Sequence, residues 1–189
     1  MKGFEFKKMK IDGVMIINPF FQEDERGYFI KDYDSNIFKE NGISGIVFKE
    51  EFHSRSQKGV IRGLHFQSLK PQSKIVSCIK GTIFDVVVDL RKDSQTFGQF
   101  VTIELSDKNH LSLYIPRGCA HGFMALENDT ITYYKCDGDY LKENDLTIRW
   151  NDKQIGINWP YERTDHILVS DRDANAMGFD TFCEKFGGL

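Results

Sequence analysis

The sequence predicts a mainly β chain, an antiparallel sandwich or barrel with a few short helices, and two observations carry that expectation. From about Ile61 to Trp150, short strand-like runs follow one another with turn signals between them and no helical rhythm. Inside that region Phe100-Val101-Thr102-Ile103-Glu104-Leu105 alternates apolar and polar residues, and His110-Leu111-Ser112-Leu113-Tyr114-Ile115 does likewise. Alternation of this kind puts one face of each strand on a core.

Taken in chain order, Asp34-Ser35-Asn36-Ile37-Phe38-Lys39-Glu40-Asn41-Gly42 offers a capping residue, one short turn of helix and a glycine stop. Ile83 to Leu90 is more continuously apolar and reads as a central strand, entered through a turn at Lys80-Gly81, with Lys80 itself in solvent. Asp89-Leu90-Arg91-Lys92-Asp93-Ser94 then breaks the pattern. Further on, alternation places Thr132, Tyr134 and Cys136 on one face and leaves Tyr133 to pack on the other. The tail from Ala174 onward reads as a short helix or a mobile end. With no internal repeat or low-complexity linker, the 189 residues suit a single domain. Its parts are an N-terminal segment of about 1–57, a β core of about 58–160 and a C-terminal segment of about 161–189.

A formal charge of -3 and a pI near 6.0, with Lys and Arg dispersed, leave no electrostatic footprint for nucleic acid or an anionic membrane. Any anionic ligand must be held by local cations. No apolar stretch approaches the roughly 20 residues that span a bilayer, and Met1-Lys2-Gly3-Phe4-Glu5-Phe6-Lys7-Lys8 lacks the apolar core of a signal peptide, so the expected location is the cytoplasm. Cys78, Cys119, Cys136 and Cys183 are widely spaced, with no CxxC pair for zinc or redox work, and read as free, mostly buried thiols.

The densest chemistry lies in Lys58-Gly59-Val60-Ile61-Arg62-Gly63-Leu64-His65-Phe66-Gln67, which sets a cation and an imidazole among apolar and glycine residues of strand character. Pro116-Arg117-Gly118-Cys119-Ala120-His121-Gly122-Phe123 repeats the theme, and Ile167-Leu168-Val169-Ser170-Asp171-Arg172-Asp173 sets carboxylates directly after an apolar run. With Phe84-Asp85-Val86-Val87-Val88-Asp89-Leu90-Arg91, Thr96-Phe97-Gly98, Tyr134-Lys135-Cys136, Ile148-Arg149-Trp150-Asn151-Asp152 and Asn158-Trp159-Pro160, these segments resemble the dTDP-4-dehydrorhamnose 3,5-epimerases. The resemblance runs from about Arg26-Gly27-Tyr28-Phe29 to Asp173. It implies a cupin-type antiparallel β-sandwich or jelly roll, and an isomerase of deoxysugar nucleotide synthesis that needs no cofactor. It further implies a nucleotide-diphosphate 4-keto-6-deoxyhexose as substrate, and a homodimer whose N-terminal segments carry dimer and nucleotide contacts, with sites shared between subunits.

In such a substrate the ketone acidifies the hydrogens on both neighbouring carbons, so inversion needs a base on one face and an acid on the other. By the resemblance, His65 matches the base and Asp173 the carboxylate that orients it and stabilises the imidazolium. Tyr134 matches the acid, and Lys74 the cation beside the developing enolate. Arg62 matches a diphosphate ligand, for which a guanidinium fork is well shaped. An ideal strand aims Arg62 and His65 at opposite faces, so the assignment requires a bulge or twist at Gly63. His121 matches a substrate contact, with a core hydrogen-bonding role equally open. Arg26, Phe29, Lys31, Glu50, Phe52, Tyr140, Asp145 and Arg172 fall at substrate- or nucleotide-binding positions.

Three of these positions depart from the family. Arg-Gly-x-Phe-x-Glu becomes Arg26-Gly27-Tyr28-Phe29-Ile30-Lys31, and Gln-x-Asn-x-Ser becomes Glu50-Glu51-Phe52-His53-Ser54. Lys31 can only donate, ionised Glu50 can only accept and Phe52 can only stack or fill space, so the chain is expected to prefer a nucleotide other than dTDP or to tolerate several. The competing functions are a 3,4-ketoisomerase sharing fold and substrate, a catalytically silent sugar-binding cupin, and a metal-dependent cupin. The last usually presents a His-x-His pair, whereas here His65 is followed by Phe66-Gln67 and His121 by Gly122-Phe123.

Overall fold

The computed structural model describes residues 3–189; Met1 and Lys2, which open the segments read above as 1–57 and as lacking a signal peptide, lie outside the described residues. Alternating side chains and glycine turns fold the chain into two antiparallel sheets. In chain order the elements are β1 (Glu5–Lys8), β2 (Met15–Asn18), β3 (Phe20–Asp24), β4 (Gly27–Lys31), α1 (Ser35–Glu40), β5 (Glu50–Ser56), β6 (Val60–Gln67), β7 (Lys74–Lys80) and β8 (Thr82–Asp89). They continue through β9 (Phe100–Ser106), β10 (Ser112–Ile115), β11 (Cys119–Ala125), β12 (Thr130–Cys136), β13 (Asp145–Thr147), β14 (Leu168–Val169), α2 (Asp171–Ala174) and α3 (Phe179–Phe186).

The first sheet runs β1-β2-β10-β7-β12-β5 and the second β13-β6-β11-β8-β9, with β14 added parallel to β6 and β3–β4 forming a separate hairpin. Val76, Cys78, Leu113, Tyr134 and Cys136 from the first sheet meet Val87, Leu105, Cys119 and Phe123 from the second in the inner core. A second cluster covers the outer face of the second sheet, where Ile61, Leu64, Phe66, Val86 and Met124 pack under Ile148, Trp159 and Phe182. A third joins Met15, Ile17, Ile75 and Tyr114 to Phe38 of α1. The mainly β sandwich expected from the sequence is the fold found.

Local signals are realised as read. Asp34 caps α1 by accepting from the backbone N–H groups of Asn36 and Ile37, Gly42 ends it at φ +87°, and β8 lies between β11 and β9 after a turn at Gly81 with φ +78°. The tail contributes α3. Two expectations change. The strand expected from His110 starts at Ser112 and is buried throughout, because the inner core and the α1 cluster cover both its sides, while His110 adopts φ +56° and stacks on Phe21. Strands also begin well before Ile61: β1 and β5 end the first sheet, and charged residues in Glu5–Lys8 and Glu50–Ser56 are tolerated there because an end strand has one free side.

The break after β8 is an anchor. Asp89, fully buried, accepts from Arg91 Nε and Nη2 at 2.8 and 2.9 Å, from Ser94 Oγ at 2.5 Å and from Thr96 Oγ1 at 2.7 Å. Burial alone would raise its pKa, but these donors outweigh it and hold the carboxyl at about 2 against an ordinary 3.8. Stability from this cluster is therefore complete above the unfolded value and is lost as pH falls through about 2. The shift corresponds to about 2 kcal/mol. Asp89→Asn is expected to lower the urea midpoint at pH 7 and to flatten the loss of stability between pH 4 and pH 2, as measured by denaturation at a series of pH values.

Candidate active site

One extra residue in β6 organises the site. His65 lies opposite His121 and Arg62 opposite Phe123, so three steps on β6 match two on β11 and the ladder carries a bulge at Gly63 and Leu64. Ile61, Leu64 and Phe66 therefore face the outer core, while Arg62 and His65 share the inner face, which resolves the difficulty posed by their spacing. Gly63 adopts φ +131°, and a Cβ there would stand 2.6 Å from Gly122 Cα and 2.9 Å from the His121 carbonyl. The two strands approach this closely only because both positions are glycine.

The bulge turns the Gly63 N–H out of the ladder, where it donates to Asp173 Oδ2 at 3.1 Å. His65 Nε2 donates to Asp173 Oδ1 at 2.8 Å. Asp173 comes from α2, whose first turn is capped by Ser170 Oγ, and is almost wholly buried. Burial pushes its carboxyl upward, yet the His65 ring, the Gly63 N–H and the Arg172 charge more than offset this and hold the pKa below the usual carboxylate range.

A second imidazole–carboxylate pair lies beside the first. His121, the cross-strand neighbour of His65, donates from Nε2 to Asp85 Oδ2 at 2.8 Å. Asp85 is fully buried and its Oδ1 has no hydrogen-bond partner, so burial raises its pKa although His121 opposes the shift. Sequence reasoning gave Asp85 no role. The available signal was a lone carboxylate inside an apolar strand, since a buried charge requires a partner.

Tyr134 lies on the other sheet, its ring edge-on to His121 at 5.9 Å between centroids. As alternation predicts, Thr132, Tyr134 and Cys136 are buried, and Tyr133 points away, donating to Glu51 Oε2 at 2.7 Å. Burial drives the Tyr134 phenol well above its ordinary pKa, with Asp85 adding to the effect and Arg62 opposing it. Arg62 is held by Ser56 Oγ at 3.1 Å and the Arg55 carbonyl at 3.2 Å. Lys74 opens β7 and shares a small recess with Gln67, Gln72, Cys119 and Asp145.

Glu50, Tyr140, Asp145 and Arg172 are joined in a polar chain. Glu50 accepts from the Tyr140 backbone N–H at 2.9 Å, the Tyr140 hydroxyl donates to Asp145 Oδ2 at 3.1 Å, and Arg172 donates to the same oxygen at 2.8 Å. Phe52 stacks on Tyr134. Arg26, Phe29 and Lys31 are not brought to this cleft: they lie on the β3–β4 hairpin, where Arg26 pairs with Asp24 and Lys31 with Asp34. Among the described residues, His, Cys, Asp and Glu side chains nowhere gather in a group of three able to hold a metal ion.

A family model described as dTDP-4-dehydrorhamnose 3,5-epimerase matches residues 8–181. A protein of that name from Methanothermobacter thermautotrophicus is 47% identical over 175 residues, covering 93% of this chain and 94% of its own. The crystal structure of a dTDP-6-deoxy-D-glucose-3,5-epimerase from Legionella pneumophila, in complex with dTDP-4-keto-L-rhamnose, superposes with a TM-score of 0.91 at 38% identity, over 94% of each chain. A 3'-monoepimerase from Streptomyces bikiniensis, in complex with dTDP-quinovose, gives 0.86 at 28% identity over 95% of this chain and 89% of that one.

Gly63→Ala is expected to destabilise the protein by at least about 2 kcal/mol, through left-handed strain and contact with Gly122. It should also loosen the His65–Asp173 pair, read as a lower thermal midpoint together with a collapsed kcat.

Proposed function

The chain belongs to the dTDP-4-dehydrorhamnose 3,5-epimerase family, and from that premise we propose that His65 and Tyr134 invert C3, C5 or both in a dTDP-linked 4-keto-6-deoxyhexose. The protein is an epimerase of deoxysugar nucleotide synthesis, an isomerase. The observation that carries the assignment of roles is the placement of His65 and Tyr134 on opposing sheets, which suits removal of a proton from one face and return to the other.

With Nε2 engaged by Asp173, the Nδ1 of His65 is the ring nitrogen that takes the proton from the carbon beside the ketone. Asp173, kept ionised, stabilises the imidazolium so formed. The electron pair moves onto the keto oxygen, where Lys74 supplies positive charge. Tyr134, kept protonated by burial, then donates its hydroxyl proton to the opposite face of the carbon. Exchange with solvent restores both groups. Arg62, its fork preset by Ser56 and the Arg55 carbonyl, holds the diphosphate.

Glu50 and Phe52 are engaged within their own chain by the Tyr140 N–H and by Tyr134, which supports a reading in which thymine is still the base held. The same reading makes the protein a cytoplasmic homodimer serving lipopolysaccharide or capsule sugars, the β3–β4 hairpin of each subunit reaching over the partner's cleft. Supporting it are the exposed Tyr28 and Phe29 on a hairpin remote from its own site, and free cysteines suited to a reducing compartment.

In deuterated water, incubation with a dTDP-4-keto-6-deoxyhexose is expected to place deuterium at C3, C5 or both, with inversion at each labelled carbon, read by NMR; a 3,4-ketoisomerase would instead move the carbonyl. His65→Ala should lower turnover by about 10²–10⁴, and Asp173→Asn by less, with the fold of both variants intact by circular dichroism. Tyr134→Phe should retain isotope exchange better than inversion. In calorimetry dTDP is expected to bind about tenfold more tightly than GDP, a difference of about 1.4 kcal/mol; a tighter hold on GDP, CDP or UDP would return the base assignment to the substituted positions.

A further inference from the structure

The hydroxyl of Tyr134 accepts and donates no hydrogen bond among the described residues, although its ring is almost wholly buried. A proton donor usually owes its aim to a hydrogen bond; here packing must serve, and besides its neighbours in the inner core two rings lie against the phenol. One is the edge of His121. The other is Phe52, the residue directly opposite Tyr134 in the β5–β12 pair, whose ring lies 4.7 Å from the phenol at an interplanar angle of 17°. Phe52 is itself 46% exposed, because β5 ends its sheet and none of the described residues covers the ring fully.

The geometry bears on the reaction because the hydroxyl sits at the far end of a lever. A swing of about ten degrees at χ1 carries it through about 1 Å, and a misplacement of that size costs on the order of a hundredfold in rate. Face-to-face contact with Phe52 blocks the swing toward β5, and the His121 edge blocks the swing into the core. Dispersion between two stacked rings is lost steeply once they separate, so the stack restrains the phenol without using its polar atom.

We infer that Phe52 is a positioning residue for proton return, holding the Tyr134 hydroxyl on the face of the substrate opposite His65. This rests on the reading of Tyr134 as the proton donor. It assigns Phe52 to the chemistry at the sugar and not to recognition of the base.

The test compares Phe52→Leu and Phe52→Tyr with the unaltered protein, using a dTDP-4-keto-6-deoxyhexose in deuterated water. Leu keeps apolar bulk but removes the stack, and Tyr keeps the stack. In Phe52→Leu, inversion should fall about 10- to 100-fold while deuterium exchange by His65 falls less than about threefold, and calorimetric affinity for dTDP should stay within about threefold. Phe52→Tyr should restore the ratio of exchange to inversion. In tyrosine-labelled protein, the upfield ring-current shift of Tyr134 should disappear in Phe52→Leu and persist in Phe52→Tyr. Exchange and inversion falling in step, or a loss confined to dTDP affinity, would overturn the inference and make Phe52 a structural or base-contacting residue. Absence of both exchange and inversion in the unaltered protein would instead overturn the reading of the whole site, and this inference with it.

Discussion

Everything in the cleft depends on the bulge in β6. A regular strand with Leu64 and Phe66 in the outer core would send Arg62 there with them, where a cation has no partner, and away from His65. The additional residue puts both on the inner wall and frees one backbone N–H, which Asp173 accepts. The bulge thus positions the imidazole and supplies part of the field that keeps its carboxylate partner ionised. Gly63 and Gly122 permit it by letting β6 and β11 approach more closely than any Cβ would allow.

Two histidine–carboxylate pairs stand side by side on this wall, and their surroundings drive them apart. Asp173 collects a backbone N–H, a guanidinium and the imidazole, so the charged form is favoured despite burial. Asp85 has only His121, with one oxygen unpartnered, so burial dominates and the neutral form gains. Identical side-chain types therefore have different proton affinities within one cleft, which is how a single site can hold groups for opposite proton-transfer tasks. On the facing wall, the same dry environment keeps the Tyr134 phenol protonated, with Asp85 reinforcing the effect.

Much of this was legible in the sequence, and the limits are physical. The sandwich followed from alternation, and α1 from its cap and glycine stop, because such signals are local. The need for a bulge at Gly63 followed from the spacing of Arg62 and His65 once the family resemblance put both in one site. The pairing of His65 with Asp173 was legible only through the family resemblance, since no local pattern links residues so far apart. Asp85 was passed over because an aspartate in an apolar strand reads as one more break in the pattern until its partner is seen. β1 and β5 went unread because end strands tolerate charge on both faces, which erases the period-two signal. The strand at His110 was placed early because its alternation continues past the point where a left-handed residue and ring stacking on Phe21 take over.

The departures from the family pattern follow the same topology. His65, Lys74, His121 and Tyr134 lie on β6, β7, β11 and β12, each hydrogen-bonded to neighbours on both sides, where a change of side chain must satisfy two adjoining strands. Glu50 and Phe52 lie on β5, which has one neighbour, and Lys31 lies on a two-stranded hairpin outside both sheets. A substitution there is constrained from one side only, and each of the three has found a new partner: a backbone N–H for Glu50, a neighbouring carboxylate for Lys31, a phenol ring for Phe52. For Phe52 that partner is the residue read as the proton donor. A change at the edge of the sheet is thereby coupled to the centre of the cleft, because a ring at the rim now sets the direction of a hydroxyl at the core.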